Sequence, residues 1–142
     1  IAFVKNERNM EVRQMVETNI LDLNNRLEQC ENSLVYAASN FTLQEFLQMD
    51  PERYIEVNRA SENVGPLLYN VLLSNQYYKK LSVYSEKDFH VMSALIKNSS
   101  EVEDETWYQE TLKTSDICWW YEDEKFFCPE KFPQLIRKRR LV

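Results

Sequence analysis

Apolar residues recur along the first forty positions with a heptad rhythm. Val16, Ile20, Leu23, Leu27, Cys30, Leu34, Ala37 and Phe41 are spaced alternately four and three apart, and Asn, Glu, Gln, Arg and Asp fill most positions between them. That pattern predicts one long amphipathic helix whose stripe is an a/d seam. At about 1.5 Å per residue, a helix from near Lys5 to near Ala38 runs roughly 50 Å, longer than a domain of this mass needs for its own core. Part of it should therefore project. From Leu27 onward the stripe is expected to pack on the domain's own sheet, and between Met10 and Leu23 a parallel pairing of two copies accounts for it.

Shorter elements come next. Thr42, with Glu45 three positions on, reads as a capping box for a helix whose inner face is Leu43, Phe46 and Leu47. Asp50-Pro51 predicts another start, with Pro51 at the first helical position and Tyr54, Ile55 and Val57 beyond it. A further helix is expected over Val64 to Leu73, with Gly65-Pro66 marking its start or a kink before it.

At Tyr77 the period changes from helical to two. Tyr78, Lys80, Ser82 and Tyr84 alternate with Lys79, Leu81, Val83 and Ser85, which predicts a strand. Ser85 to Asp88 is the expected turn, and Phe89 to Ile96 a second strand paired antiparallel to the first. Asn98 to Glu105 reads as an acidic loop, Thr106 to Thr114 as a short helix opened by Trp107 and Tyr108, and Leu135 to Val142 as a last strand. Ile117 to Tyr121 and Lys125 to Cys128 read as a hairpin with the three-residue loop Glu122 to Glu124. That register sets Cys118 opposite Cys128, on the face shared by Trp120 and Phe126. The two cysteines are then either a cross-strand disulfide or a pair of small buried hydrophobes.

Composition narrows the function classes. A chain of 142 residues fits one domain, and 44% hydrophobic residues with abundant aromatics is too apolar for a disordered chain. The net charge is −6, and Arg137, Lys138, Arg139 and Arg140 hold four of the 17 cations, leaving the rest at 13 cations against 23 acids, or −10. Such a surface repels phosphate backbones, which argues against nucleic acid as a partner. No stretch has the eighteen apolar residues of a membrane span, so a water-soluble chain is expected. The opening Ile-Ala-Phe-Val before a polar helix also suits a segment lying just beyond such a span.

Catalytic chemistry finds little support. The one histidine, His90, is expected on a strand face with Met92, Ala94 and Ile96, and a lone strand histidine is more often packed or exposed than a base. Glu101 to Glu110 could supply paired carboxylates but reads as a solvated loop. A single glycine rules out a phosphate-cradling loop, and three cysteines without a C-x-x-C pair give a poor zinc site. No enzyme, metal or cofactor is expected. Asn40-Phe41-Thr42 and Asn98-Ser99-Ser100 match the glycosylation sequon, a triplet common by chance.

A binding cleft fits better, because Tyr84, Trp107, Tyr108, Trp119, Trp120, Tyr121, Phe126 and Phe127 offer flat apolar faces with polar tips. Trp119 and Trp120 must point to opposite faces of a strand, so at most one of them faces a pocket; the rest of the set serves equally as core.

Taken in order, the elements resemble the extracytoplasmic Cache sensor domain, a relative of the PAS fold found in bacterial sensor histidine kinases and chemoreceptors. The carriers are the long first helix with its seam, Tyr78-Lys79-Lys80-Leu81-Ser82-Val83-Tyr84 as first central strand, and Trp107-Tyr108 opening the helix before the aromatic hairpin. The resemblance spans nearly the whole chain. It departs from the family at Ser85-Glu86-Lys87-Asp88, where many members carry a glycine, and in lacking the binding patterns of amino-acid-sensing members. It implies an α+β fold in which a long N-terminal helix (1–41) and short helices (42–76) pack on an antiparallel sheet with a Trp-Tyr helix (77–142), as a single Cache or the membrane-distal half of a double one. It also implies a small-molecule pocket between the hairpin and the Trp107 helix, with Tyr84, Trp107, Tyr108 and Trp120 as ligand-binding residues and Arg137 or Arg139 as an anion clamp. The expected role is ligand sensing at the extracellular or periplasmic face of the membrane, as a homodimer through the first helix. The alternative is a structural or protein-interaction domain without a small-molecule ligand.

Overall fold

A computed structural model describes residues 2–90 and 94–132, with side chains from residue 9 onward. The fold is α+β. Its order is α1 (Ala2–Ala38), α2 (Phe41–Leu47), α3 (Tyr54–Ser74), β1 (Val83–Ser85), β2 (Ile96–Asn98), a 3-10 turn over Ser99–Glu101, α4 (Thr106–Lys113), β3 (Trp120–Glu122) and β4 (Lys125–Phe127).

The long helix is present, and its stripe divides in two. Every described residue of α1 up to Arg26 is exposed, including Val16, Ile20 and Leu23 of the seam. From Leu27 the burial begins, and Cys30, Ala37 and Ala38 are buried. The partner of that half is not a sheet, as the periodicity suggested, but α2 and α3. Small side chains at Ala37 and Ala38 let α2 come close. Gln44, itself buried, donates from its side-chain amide to the Ala38 carbonyl at 2.6 Å.

Asn40, not Thr42, caps α2: its side chain accepts from the Leu43 backbone N–H at 3.1 Å, so the helix begins two residues earlier than a Thr42 cap requires. Asn is among the strongest N-cap residues, and here it outcompetes Thr. Asn98 does the same for the 3-10 turn, accepting from Ser100 N–H at 2.9 Å. Both asparagines of the two sequons thus have capping work in the fold.

The two helices expected between Pro51 and Leu73 are one. Asp50 and Pro51 form a turn before it, with the Asp50 side chain accepting from Glu52 N–H. α3 then runs continuously through Gly65 and the exposed Pro66. Glycine before proline removes the Cβ that would otherwise meet the pyrrolidine ring in a helical conformation. Val57, Val64, Leu68 and Val71 are its buried residues, spaced seven, four and three apart on one face. With Ala37, Leu43, Phe46, Leu81, Val83 and Ile96 they form the core.

The first sheet differs from the expectation. β1 and β2 pair parallel, not antiparallel, with Val83 against Ile96, Tyr84 against Lys97 and Ser85 against Asn98. Tyr78 to Ser82 lies outside the strand. The reason is two contacts made just beyond β1: Phe89 stacks on Phe46 at 4.9 Å, and Lys87 donates to the Met49 carbonyl. These contacts draw the chain off the sheet toward α2, so it returns beside β1 in the same direction rather than folding back in a hairpin. Of the expected strand from Phe89 to Ile96, only Ile96 is in a strand among the described residues, and Val91 to Ser93 lie outside them. His90 is exposed, 3.6 Å from the Asp88 carboxylate. The expected strand from Leu135 to Val142 also lies outside the described residues.

The expected helix at Trp107 is α4. The second hairpin is antiparallel as expected, but its register is shifted by one: Trp120 faces Phe127, Tyr121 faces Phe126 and Glu122 faces Lys125. The loop is therefore the two residues Asp123 and Glu124, at φ 51° and 62°. Two consecutive positive φ values are the mark of a type I′ turn, whose twist matches that of the flanking strands.

Phe46 and Leu68 are essentially inaccessible to solvent, whereas Leu73 is 77% exposed. Phe46→Ala is expected to lower the unfolding free energy by about 3–5 kcal/mol and Leu68→Ala by about 2–5. Leu73→Ala should stay within about 0.5. Urea denaturation followed by circular dichroism measures all three.

Candidate functional site

The middle turns of α1 gather ties from the distal part of the chain. Arg26 lies over the ring of Tyr77, 4.9 Å from its centroid. Asn75 donates to the Cys30 sulfur at 3.4 Å, and the Tyr78 hydroxyl donates to the Cys30 carbonyl. One residue on, Glu31 accepts the indole N–H of Trp119 at 2.7 Å. That last bond crosses 88 positions of sequence and anchors the base of the hairpin to the rod. A carboxylate acceptor makes it stronger than a neutral pair.

Beside this anchor the aromatic residues converge. Trp107, in the first turn of α4, lies edge-on to Phe127 at 5.3 Å and to Tyr108 at 5.9 Å, and 6.2 Å from Tyr84 on β1. Trp120 faces Phe127 across the hairpin. Three of the residues expected to bind ligand, Tyr84, Trp107 and Tyr108, thus share one half-buried cluster, and the fourth, Trp120, sits one strand away. Phe127 is the ring that joins them. The sequence reading counted it among the aromatic faces but not among the ligand-binding residues, and set Phe126 on the face of Trp120, whereas Phe126 is 73% exposed and lies tilted against Tyr121 at 4.7 Å.

Between α4 and the hairpin lies an open cavity of about 240 Å³ lined by Glu110, Thr111, Thr114, Asp116, Cys118, Trp120 and Pro129. Positions 107, 111 and 114 are three and four apart along or just beyond α4, so the cavity continues from the face that carries Trp107. The two neighbouring tryptophans divide as strand alternation requires: Trp120 lines the cavity, and Trp119 reaches α1. The Trp120 indole nitrogen is buried and has no hydrogen-bond partner among the described residues. Arg137 and Arg139, expected to clamp an anion, lie outside the described residues.

Cys118 is an exposed free thiol, and Cys128 a half-buried one. Carried one step beyond the ladder, the observed register sets Trp119, not Cys118, against Cys128, so the directly opposed pair expected from a three-residue loop does not form. Burial first, then the Glu31 carboxylate, pushes the Cys128 thiol up to about 12. Burial first, then Cys30, pushes the Tyr78 phenol up to about 12 as well. Burial also raises the Cys30 thiol and the Glu130 carboxyl. Among the described residues no group of three His, Cys, Asp or Glu side chains is disposed to hold a metal ion, and no helix is long and apolar enough to cross a membrane.

No protein-family model, no curated protein and no solved structure matches this chain.

The thiols lend themselves to two measurements. Cys118 should react with a disulfide reagent at once, and Cys30 and Cys128 only slowly until denaturant is added, because the thiolate is the attacking species and burial disfavours it. Folded Cys128 and Tyr78 keep their protons up to about pH 12, whereas their ordinary values are 9.0 and 10.0. The unfolded chain therefore binds fewer protons above pH 9, and stability that is whole below that point is lost as the pH rises toward 12. The melting temperature should fall across this window, and less steeply in Cys128→Ser.

Proposed function

We propose that this chain is the extracytoplasmic ligand-sensing domain of a transmembrane signal-transduction receptor of the Cache type, foremost a two-component sensor histidine kinase. It binds a small molecule in the cleft between α4 and the β3–β4 hairpin and signals through α1, at the extracellular or periplasmic face of the membrane, without catalysis of its own. The observation that carries this reading is the bond from Trp119 to Glu31, because it joins the wall of the cleft to the rod. A ligand pressing on Trp120 moves β3 and with it the adjoining Trp119, whose indole pulls on the exposed rod through Glu31. A shift of α1 against its mate in a homodimer then passes the signal on; the exposed Val16, Ile20 and Leu23 supply the pairing seam.

A second reading, a protein-interaction domain without a small-molecule ligand, is favoured by one feature: the paired and exposed rings of Tyr121 and Phe126 near the hairpin tip. Stabilisation by small molecules separates the two. A ligand at a hundred times its dissociation constant adds about 2.7 kcal/mol, so a screen of amino acids, amines, organic acids and sugars against melting temperature should give a hit under the first reading and none under the second.

Removing residues up to Leu23 should abolish dimerisation in sedimentation experiments while leaving that ligand shift intact; loss of both together defeats the division of labour. Trp119→Phe, which removes a hydrogen bond to a charged group, should cost about 1.5–3 kcal/mol of stability and leave the dimer in place.

A further inference from the structure

We propose that Cys30 on α1 and Cys128, just past β4, are the two halves of a reversible disulfide that fastens the base of the hairpin to the rod. Two threads of the fold bring them to one place. From the hairpin side, Cys128 follows Phe127 directly out of β4, and the register carried one step past the ladder sets it against Trp119, whose indole donates to Glu31 at 2.7 Å. Directly opposed residues share a face, so Cys128 turns with Trp119 toward the part of α1 that holds residues 30 and 31. From the core side, the Tyr78 hydroxyl donates to the Cys30 carbonyl, and the same phenol feels the charge of both Cys30 and Cys128. Besides its burial, Cys128 feels Glu31 and, more weakly, Cys30. Both cysteines are free thiols.

The two thiols differ in what can reach them. Cys30 is buried, and the Asn75 amide donates to its sulfur at 3.4 Å and holds it in place. Cys128 is half-buried, so an oxidant carrying a disulfide, such as oxidised glutathione, meets Cys128 first. Oxidation then takes two exchanges. The Cys128 thiolate attacks one sulfur of the oxidant: a mixed disulfide forms, the oxidant's own S–S bond breaks, and one glutathione leaves as a thiolate and takes up a proton. The Cys30 thiolate attacks the Cys128 sulfur, and the second glutathione leaves in the same way. Two protein thiols are oxidised, and one glutathione disulfide is reduced to two thiols. Each attack needs a thiolate that burial disfavours, so the bond forms slowly. Cys118 also stands near Cys128, but it lines the cavity with Trp120, on the side of the hairpin away from Glu31. A bond from Cys30 to Cys128 closes a long loop, and restricting the unfolded chain in this way stabilises the fold. Disulfides persist outside the cytoplasm, where the proposed function sets this domain. The pairing itself does not depend on that reading, and its failure would leave the ligand site untouched.

The test holds the folded whole chain in oxidised or in reduced glutathione, traps the remaining thiols with N-ethylmaleimide, and maps the disulfides of an unreduced digest by mass spectrometry. The expected result is one bond between the peptides carrying Cys30 and Cys128, with Cys118 alkylated or capped by glutathione. The melting temperature of the oxidised chain should exceed that of the reduced chain by at least ~5 °C. Cys118→Ser should keep both the bond and the shift. Cys128→Ser should lose both, with circular dichroism of its reduced form showing that it still folds; if serine is not tolerated there, Cys128→Ala takes its place. Three free or glutathione-capped thiols after the same treatment would overturn the inference. So would a bond from Cys118 to Cys128, a disulfide found only between two chains, or a Cys30–Cys128 bond that lowers the melting temperature.

Discussion

The fold depends on one constraint: a single helix stripe has to meet two different environments. Its last three turns are closed over by α2 and α3, where Ala37 and Ala38 are small enough to admit Gln44 and Phe46 is buried beside them. Its earlier turns, from residue 9 to Arg26, are exposed. Burial of Phe46, Leu43, Val64 and Leu68 at this junction fixes where α1 stops being core and becomes rod. Every other element is placed by reference to that point. α3 returns alongside, β1 and β2 add Val83 and Ile96 to the same cluster, and Phe89 closes over Phe46.

The second centre is polar and aromatic, and it stands on the rod rather than in the core. Cys30 and Glu31 receive Asn75, Tyr78 and Trp119 from three points far along the chain. The cleft therefore has two kinds of wall. Aromatic edges around Trp107 join the α4 wall to Phe127 of the hairpin, and the hairpin wall is tied to α1 as well by the charged bond from Trp119 to Glu31.

Much of the architecture was legible in the sequence where the signal is local and periodic. The long helix, the split of its stripe near Leu27, the Trp107 helix and the existence of the aromatic hairpin all come from spacing that side-chain geometry enforces. Elements governed by competition were not. Thr42 and Asn40 both suit a cap, and the stronger one won. Gly65-Pro66 reads as a break, yet an exposed proline preceded by glycine is carried inside α3. The direction of β2 depends on Phe89 finding Phe46, a contact between distant segments that alternation cannot encode. At the cleft, Tyr84, Trp107, Tyr108 and Trp120 were legible as aromatic surface. The place of Phe127 against Trp107, and of Glu110 and Asp116 in the lining, was not, because one position of register and the packing of α4 decide which residues share a face.

The turn of the hairpin has a consequence of its own. Asp123 and Glu124 occupy left-handed backbone conformations, which aspartate tolerates and glycine adopts readily but which cost a residue such as glutamate about 1–3 kcal/mol. A hairpin with so unfavourable a tip does not close spontaneously; it is kept shut from below, by Trp119 on Glu31 and Trp107 against Phe127. Its shape is thus conditional on its neighbours. Loosening either support would let it spring open while the helical core stayed folded.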